Sequence, residues 1–379
     1  MKKKFLGVVL SVAMVASLLA GCGDSKKDEP ADNNTQKEDT ADADADKTDE
    51  GDAAGGLVGV AMPTKDLQRW NQDGSNMEAE LKEAGYEVDL QFASNDIGTQ
   101  VSQIENMISN GCKVLVVASI DGDSLGTVMD QAKEAGIPVI AYDRLIMNSP
   151  AVSYYATFDN YKVGQTQGEY IEKALDLANA GDKTYNIEFV TGDPGDNNVN
   201  FFFGGAMDVL QKYLDAGTLV CQSGQTKKDE VATVNWATET AQSRFENILS
   251  SYYSDKNLDV VLASNDSTAL GVANALASSY TGDYPILTGQ DCDVANVKNI
   301  IDGKQSMSIF KDTRTLASKV VEMVDSIMKG SEPDINDTET YDNGDHVVPS
   351  YLCEPVFADS DNYKDILIDS GYYSEDDLK

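Results

Sequence analysis

Seven short apolar runs in this 379-residue chain are each followed by side chains that donate or accept hydrogen bonds. Asp143-Arg144, for example, begins two residues after Ala141, and Asn265 lies two residues after Ala263. The groups found in this way are Arg69-Trp70, Asp121, Asp143-Arg144, Asn197-Asn198, Asn265-Asp266, Gln290-Asp291 and Lys311-Asp312. Carboxylates accept hydrogen bonds, Arg and Lys donate them, and amides do both. Side chains of these types suit non-covalent binding of a polar ligand.

Each of these residues, taken alone, also has a purely structural explanation. Asp121 is best explained as a helix N-cap. Asp143-Arg144 fits a surface ion pair as well as it fits a site, and Asn197-Asn198 fits a turn. Trp70 and Trp236, the two tryptophans, would ordinarily be core residues. The prediction of a site therefore depends on all of these residues meeting at one end of the sheets.

The sequence excludes several kinds of catalytic and metal chemistry. Its single histidine, His346, cannot build a cluster of histidine metal ligands. The cysteines of the body are Cys112, Cys221, Cys292 and Cys353, and they are too widely spaced for a zinc motif. No glycine-rich turn with dinucleotide or P-loop spacing follows a strand-like run. We therefore predict no metal and no cofactor, and leave open whether any cysteines form disulfides.

The elements that must position the polar groups alternate along the chain. Strand-like runs such as Leu57–Met62 and Val260–Ala263 are separated by segments of helical period such as Thr99–Ser109. This order predicts an α/β fold with parallel sheets covered by helices on both faces. Ligands of such sheets bind at the carboxyl ends of the strands. About 320 residues follow Gly56, enough for two wound lobes whose polar rims face each other across a cleft.

The first 22 residues resemble a bacterial lipoprotein signal. Lys2-Lys3-Lys4 precedes an apolar run that ends in Leu-Ala-Gly before Cys22. The resemblance implies that Cys22 is lipidated and anchors the protein to the outer face of the cell membrane. Residues 24–55 hold twelve acidic residues and four lysines, so we predict that residues 23–56 form a disordered acidic tether. An ordinary secretory signal with a chance cysteine is the alternative.

The formal net charge of the whole chain is −35. Such a field repels nucleic acid and anionic lipid headgroups, so both are poor partners. We predict contact with the membrane only through the lipid anchor. The net charge does not repel a small neutral ligand.

The body of the chain resembles the periplasmic sugar-binding proteins of the ribose, xylose and galactose class, most closely the receptors that bind several aldoses and serve ABC transport. The segments that carry the resemblance are Met62–Lys65 with Arg69-Trp70, Ser102–Met107, Ala141–Arg144, Tyr154–Asn160, Asn265-Asp266, Gly289–Asp291, Phe310–Arg314 and Val348–Tyr351. They extend from about residue 57 to the C-terminal region.

The resemblance implies two lobes joined by a hinge of three crossings, near Phe158, Asp312 and Pro349. The first lobe would contain residues 57–158 plus 312–348. The second lobe would contain residues 159–311 plus 349–379.

The resemblance also implies which residues contact a monosaccharide. These are Arg69, Trp70, Asp143, Arg144, Asn198, Trp236, Asn265, Asp291 and Lys311. Charged and amide groups would pair with sugar hydroxyls, and the two tryptophans would cover the apolar faces of the ring. The lobes would close on an aldose such as glucose, galactose, arabinose or xylose, and the closed monomer would dock on an ABC transporter permease.

Two other functions remain open at this point. The first is a sensory subunit that binds a sugar and docks on a receptor kinase or chemoreceptor. The second, a glycosidase, could use a carboxylate pair such as Asp143 and Asp291. Neighbouring Arg and Lys should keep both carboxylates ionised, which leaves no proton donor and disfavours the enzyme.

Overall fold

The computed structural model describes residues 55–379 of the chain. The predicted export signal, Cys22 and the acidic tether up to residue 54 lie outside the described residues. Within the described range, no helix combines the length and the apolar character needed to cross a lipid bilayer.

Strands and helices alternate along most of the described residues, as the sequence predicts. The strands are β1 (Leu57–Met62), β2 (Glu87–Phe92), β3 (Val114–Val117), β4 (Val139–Tyr142), β5 (Val152–Phe158), β6 (Tyr185–Val190), β7 (Leu219–Val220), β8 (Val260–Ala263), β9 (Ile286–Leu287), β10 (Met307–Phe310), β11 (Ser350–Cys353) and β12 (Val356–Asp359). The helices are α1 (Gln68–Glu83), α2 (Ile97–Ser109), α3 (Gly126–Glu134), α4 (Asn160–Ala174), α5 (Asn198–Asp215), α6 (Thr238–Tyr252), α7 (Asp266–Ser279), α8 (Val294–Ile301) and α9 (Thr313–Met328).

The first sheet has six parallel strands in the order β11-β5-β4-β3-β1-β2. Strands β3 and β4 are fully buried apolar runs, as expected where helices cover both faces. Helices α1 and α9 pack on one face through side chains such as Met77 and Val320. Helices α2 and α3 pack on the other face through side chains such as Ile104 and Val128. Two hydrophobic cores therefore fix the ends of β1, β3 and β4 in space.

The second sheet has four parallel strands in the order β7-β6-β8-β9. Helices α4 and α5 cover one face, and α6 and α7 cover the other. Helices α4 and α5 approach so closely that a Cβ at Gly164 would lie 1.9 Å from the carbonyl oxygen of Phe202. Strands β10 and β12 form an antiparallel pair, which a parallel bridge between Gln290 and Ile309 links to the chain after β9.

The predicted third crossing near Pro349 is wrong in position. Residues 350–353 form β11, which pairs in parallel with β5 in the first sheet. The chain leaves that sheet only after Cys353 and then pairs with β10 through β12. The segment after the crossing therefore starts at residue 354 rather than 349. The strand signal of Ser-Tyr-Leu-Cys is weak in the sequence, because the run has only four residues and directly follows Pro349.

Candidate functional site

All nine residues predicted from the sequence line one cavity at the carboxyl ends of the strands. The space between protein atoms in this cavity is about 290 Å³, a figure that includes space open to solvent, so the enclosed part is small. Its lining residues are Leu67, Arg69, Trp70, Asp143, Arg144, Asp196, Asn198, Phe202, Trp236, Asn265, Gln290, Asp291 and Lys311. A cavity of this size with so many charged groups suits a small, highly polar ligand.

The lining residues come from the starts of helices and the ends of strands of both sheets. Arg69 lies in the first turn of α1, and Asp143 directly follows β4. From the second region, Asn198 begins α5, and Lys311 directly follows β10. Asn265 caps α7 by accepting a hydrogen bond from the backbone N–H of Thr268 at 3.0 Å. Local helix and strand boundaries thus place all of these groups at one edge.

Arg69 lies at the centre of a buried cluster of charges. Its guanidinium is 3.0 Å from Asp73, 2.9 Å from Asp143 and 3.3 Å from Asp291. Lys311 lies 3.2 Å from Asp291 and 3.6 Å from Asp143. All five side chains are at most 7% exposed. Buried charges are costly unless they are paired, and here three carboxylates are shared between two cations.

A second buried ion pair lies beside this cluster. Arg144 Nε is 2.9 Å from Asp196 Oδ2, and the other oxygen of Asp196 accepts a hydrogen bond from the backbone N–H of Asn198. The Asn198 amide in turn donates to the carbonyl oxygen of Asp143 at 2.7 Å. Asp196 therefore links Arg144, which follows β4 of the first sheet, to the start of α5, which packs on the second sheet.

The charge state of Asp143 follows from its neighbours. Burial alone would raise its pKa, but Arg69, Lys311 and Arg144 outweigh burial and hold the pKa of Asp143 below its ordinary value. For Asp196, burial has the larger effect and raises the pKa, although Arg144 opposes it. Because its pKa is lowered, the Asp143 carboxyl group is ionised at neutral pH. It can accept hydrogen bonds but cannot act as a proton donor.

Two tryptophans border the cavity in different ways. The guanidinium groups of Arg69 and Arg144 lie 4.5 Å and 5.1 Å from the Trp70 ring centre, within cation–π range. Trp236 packs edge-on to Phe202, with ring centres 6.2 Å apart and planes at 70°. Trp70 therefore supports the two arginines as well as lining the cavity. Trp236 packs in a hydrophobic cluster with residues of α4, α5 and β10.

Backbone strain is concentrated around the cavity. Asp143, Trp236 and Asp291 have φ angles of 57°, 55° and 98°, in the left-handed region that non-glycine residues seldom adopt. Asn235 and Cys292, beside two of these residues, have φ angles of 58° and 52°. Such conformations persist only where the surroundings impose them, and they cluster at functional sites. At Asp143 the constraint is visible, because its carbonyl oxygen also accepts hydrogen bonds from Tyr155 and Thr157.

Several buried polar atoms of the lining have no hydrogen-bond partner among residues 55–379. Within this range, Nε1 of Trp70, Nε1 of Trp236 and Oε1 of Gln290 have neither a hydrogen bond nor an ion pair, whereas Oδ2 of Asp143 and Nε of Arg144 lack a hydrogen bond but lie in ion pairs. Buried polar groups in native proteins are almost always hydrogen-bonded, so each exception needs an explanation. A ligand with several hydroxyl groups could supply both donors and acceptors to these atoms.

Four lining residues, Leu67, Asp196, Phe202 and Gln290, are not among the nine predicted sugar contacts. Asp196 lies in the polar turn after β6, where a carboxylate just before a helix usually indicates only a cap. In the structure its side chain accepts a hydrogen bond from the backbone N–H of Asn198 at the start of α5 and also pairs with Arg144. Gln290 belongs to the polar group after β9. Leu67 and Phe202 carry no polar signal. Asp121 instead closes a local turn with Ser124 and does not line the cavity.

Three comparisons with known proteins all match this chain to binding proteins. A family model described as a periplasmic binding protein domain matches residues 58–332. The multiple sugar-binding periplasmic receptor ChvE of Rhizobium radiobacter is 50% identical over 86% of this chain and 92% of its own length. An ABC transporter solute binding protein from Clostridium phytofermentans, solved with bound β-D-glucose, is 72% identical; the match covers 85% of this chain and 100% of that chain, with a TM-score of 0.84. A carbohydrate transporter solute binding protein from Chloroflexus aurantiacus, in complex with D-glucose, is 35% identical, with a TM-score of 0.78 over 85% of this chain and 98% of that one.

Proposed function

The chain belongs to the periplasmic binding protein family, and from this premise we propose that it captures a monosaccharide outside the cytoplasm for an ABC transporter. Its two parallel sheets have the type I fold of that family, so the predicted fold class is confirmed. The predicted absence of enzymatic activity is also confirmed, because its relatives are substrate-binding receptors.

The observation that carries this proposal is the mixture of groups around one small buried cavity. A sugar hydroxyl both donates and accepts, so it needs carboxylates such as Asp143 and cations such as Lys311 within reach of the same ring. Hydrogen bonds to charged groups contribute roughly 1.5–3 kcal/mol each. A few of them are enough for micromolar affinity, about −8 kcal/mol.

D-Glucose is the sugar that we propose first. Both structural relatives described above were solved with glucose, and one of them is 72% identical to this chain. The ChvE receptor is named for several sugars, so we expect galactose, arabinose and xylose to bind as well, with different affinities. A sugar that lacks one hydroxyl leaves a buried polar group unpaired, and that loss sets the order of affinities.

We further propose that binding closes two lobes, residues 57–158 with 312–353 and residues 159–311 with 354–379. Contacts between the two sets support this. Arg69 pairs with Asp291, and Arg144 pairs with Asp196. The backbone N–H of Gly122 donates to the carbonyl oxygen of Gly195 at 3.0 Å. A ligand that touches both sets of residues favours the closed arrangement through its differential affinity.

Titration calorimetry with D-glucose, D-galactose, L-arabinose, D-xylose and D-ribose tests the proposed ligand. We expect glucose to bind at micromolar or lower concentration and ribose to bind most weakly. Small-angle scattering on the same samples should show a smaller radius of gyration with glucose, and no change with a non-binding sugar such as sucrose. If none of these monosaccharides binds, the proposed function is wrong.

Lipid attachment at Cys22 completes the proposal. The Leu-Ala-Gly-Cys sequence supports it, and a permease partner follows from the transport role of the family. Expressed in a bacterial host, the full chain should fractionate with membranes and extract into detergent, whereas the Cys22→Ser variant should be released. Release of both proteins to the same extent would contradict the anchor.

A sensory role uses the same binding step as transport. Loss of glucose uptake in cells that lack the chain would favour transport over sensing.

A further inference from the structure

Behind Arg69, two residues that do not line the cavity form a fully buried support. Asp73, one turn further along α1, accepts hydrogen bonds from Nε and one terminal nitrogen of Arg69, both at 3.0 Å and both on Oδ2. Tyr142, the last residue of β4, donates its hydroxyl to Oδ1 of Asp73 at 2.5 Å. Neither Asp73 nor Tyr142 is measurably exposed to solvent.

These contacts fix the plane and direction of the Arg69 guanidinium. Two of its three nitrogens bond to one carboxylate, and the Trp70 ring lies 4.5 Å away. The terminal nitrogens are thereby directed towards Asp143 and Asp291, which line the cavity. A rigid planar fork loses less freedom on binding than a mobile one. The fold therefore orients the Arg69 side chain before a ligand binds, and binding does not have to order it.

We propose that Asp73 and Tyr142 are positioning residues, which set ligand affinity by holding Arg69 and which make that affinity depend on pH. This inference rests on the proposed function, because it concerns the same cavity. Neither residue needs to touch the sugar, and their effect passes through Arg69.

The direction of the pH dependence follows from the groups that face Asp73. These are Arg69 on α1, Tyr142 and Asp143 at the end of β4, and Tyr372 near the C-terminus. Burial raises the pKa of Asp73 to about 6, although Arg69 and the Tyr142 hydroxyl oppose it. The pKa values of Arg69 and Tyr142 lie well above their ordinary values, so both keep their protons.

As the pH falls through about 6, Asp73 therefore gains a proton and loses the charge that holds Arg69. Affinity should be full above this pH and should fall below it. Burial also raises the pKa of Asp293, and the charges of Arg69 and Lys311 in the cavity oppose this effect. We therefore compare how glucose affinity depends on pH in the wild type and in the variants.

The experiment is titration calorimetry of the folded chain with D-glucose, over about two pH units on either side of 6. Asp73→Asn should bind roughly tenfold more weakly at neutral pH, the scale of one lost charged hydrogen bond, and should lack the step near 6. Tyr142→Phe removes a bond that lowers the pKa of Asp73, so its step should move to higher pH. It also keeps the aromatic ring, so it tests the inference even if Asp73→Asn does not fold.

The pair Tyr86 and Asp325 offers a matched control. The Tyr86 hydroxyl donates to Asp325 at 2.9 Å, and neither residue lines the cavity. Tyr86→Phe and Asp325→Asn should leave both affinity and pH profile unchanged. Wild-type affinity and an unaltered step in Asp73→Asn and Tyr142→Phe would overturn the inference. Failure of the wild type to bind any monosaccharide would instead reject the proposed function.

Discussion

Asp143→Asn should weaken the binding of D-glucose by about 2 kcal/mol or more, roughly thirtyfold in affinity. The carboxylate lies 2.9 Å from Arg69 and 3.6 Å from Lys311, and these two cations together with the charge of the neighbouring Arg144 lower its pKa. An amide of the same shape keeps one acceptor oxygen but loses the charge that holds two buried cations. Asparagine also tolerates the left-handed backbone at this position, where φ is 57°, so the substitution changes charge without forcing the backbone to move.

Calorimetry at neutral pH measures this effect, and thermal unfolding without sugar measures the accompanying loss of stability. We expect a lower melting temperature, because Arg69 and Lys311 stay buried and lose a carboxylate that lies within ion-pair distance of both. Asp96→Asn is a suitable control, because Asp96 caps α2 through Thr99 and does not line the cavity. An affinity within about twofold of the wild type in folded Asp143→Asn would remove Asp143 from the binding site.

The polar rim could be predicted from the sequence because its signal is local. Each member follows an apolar run, and parallel strands bring their carboxyl ends to one edge whatever the order of the strands. Asp143, Asn265 and Lys311 are far apart in the chain, yet all line one cavity. The resemblance to a known family added Trp236, which no strand end marks.

The support behind the rim could not be predicted in the same way. Asp73 is one of several polar residues on α1, and only the packing of α1 against β4 brings its carboxylate to Tyr142. Asp196 pairs with Arg144 across the cavity, a contact between residues on different sheets. The third crossing was misplaced for a related reason, because β11 becomes a strand only through its pairing with β5. These features depend on long-range contacts that local sequence patterns do not encode.

Gly192→Ala should reduce glucose affinity by at least about tenfold while leaving the chain folded. A Cβ at this position would lie 2.0–2.2 Å from three carbon atoms of the Trp236 ring, far inside van der Waals contact. Trp236 would have to leave its place at the cavity wall, and its strained backbone, with φ of 55°, gives it little freedom to adjust. Overpacking of this kind costs about 1–3 kcal/mol of stability, which a chain of this size can tolerate.

Gly204→Ala is the matched control, because a Cβ there would meet no atom within 4 Å in the middle of α5. It should bind glucose as the wild type does. If Gly192 acts through Trp236, the double variant Gly192→Ala/Trp236→Ala should bind no more weakly than Trp236→Ala alone. Strictly additive losses in this cycle would mean that the added methyl group disturbs the cavity by another route. Wild-type affinity in Gly192→Ala would show that Trp236 does not form the wall against which the sugar binds.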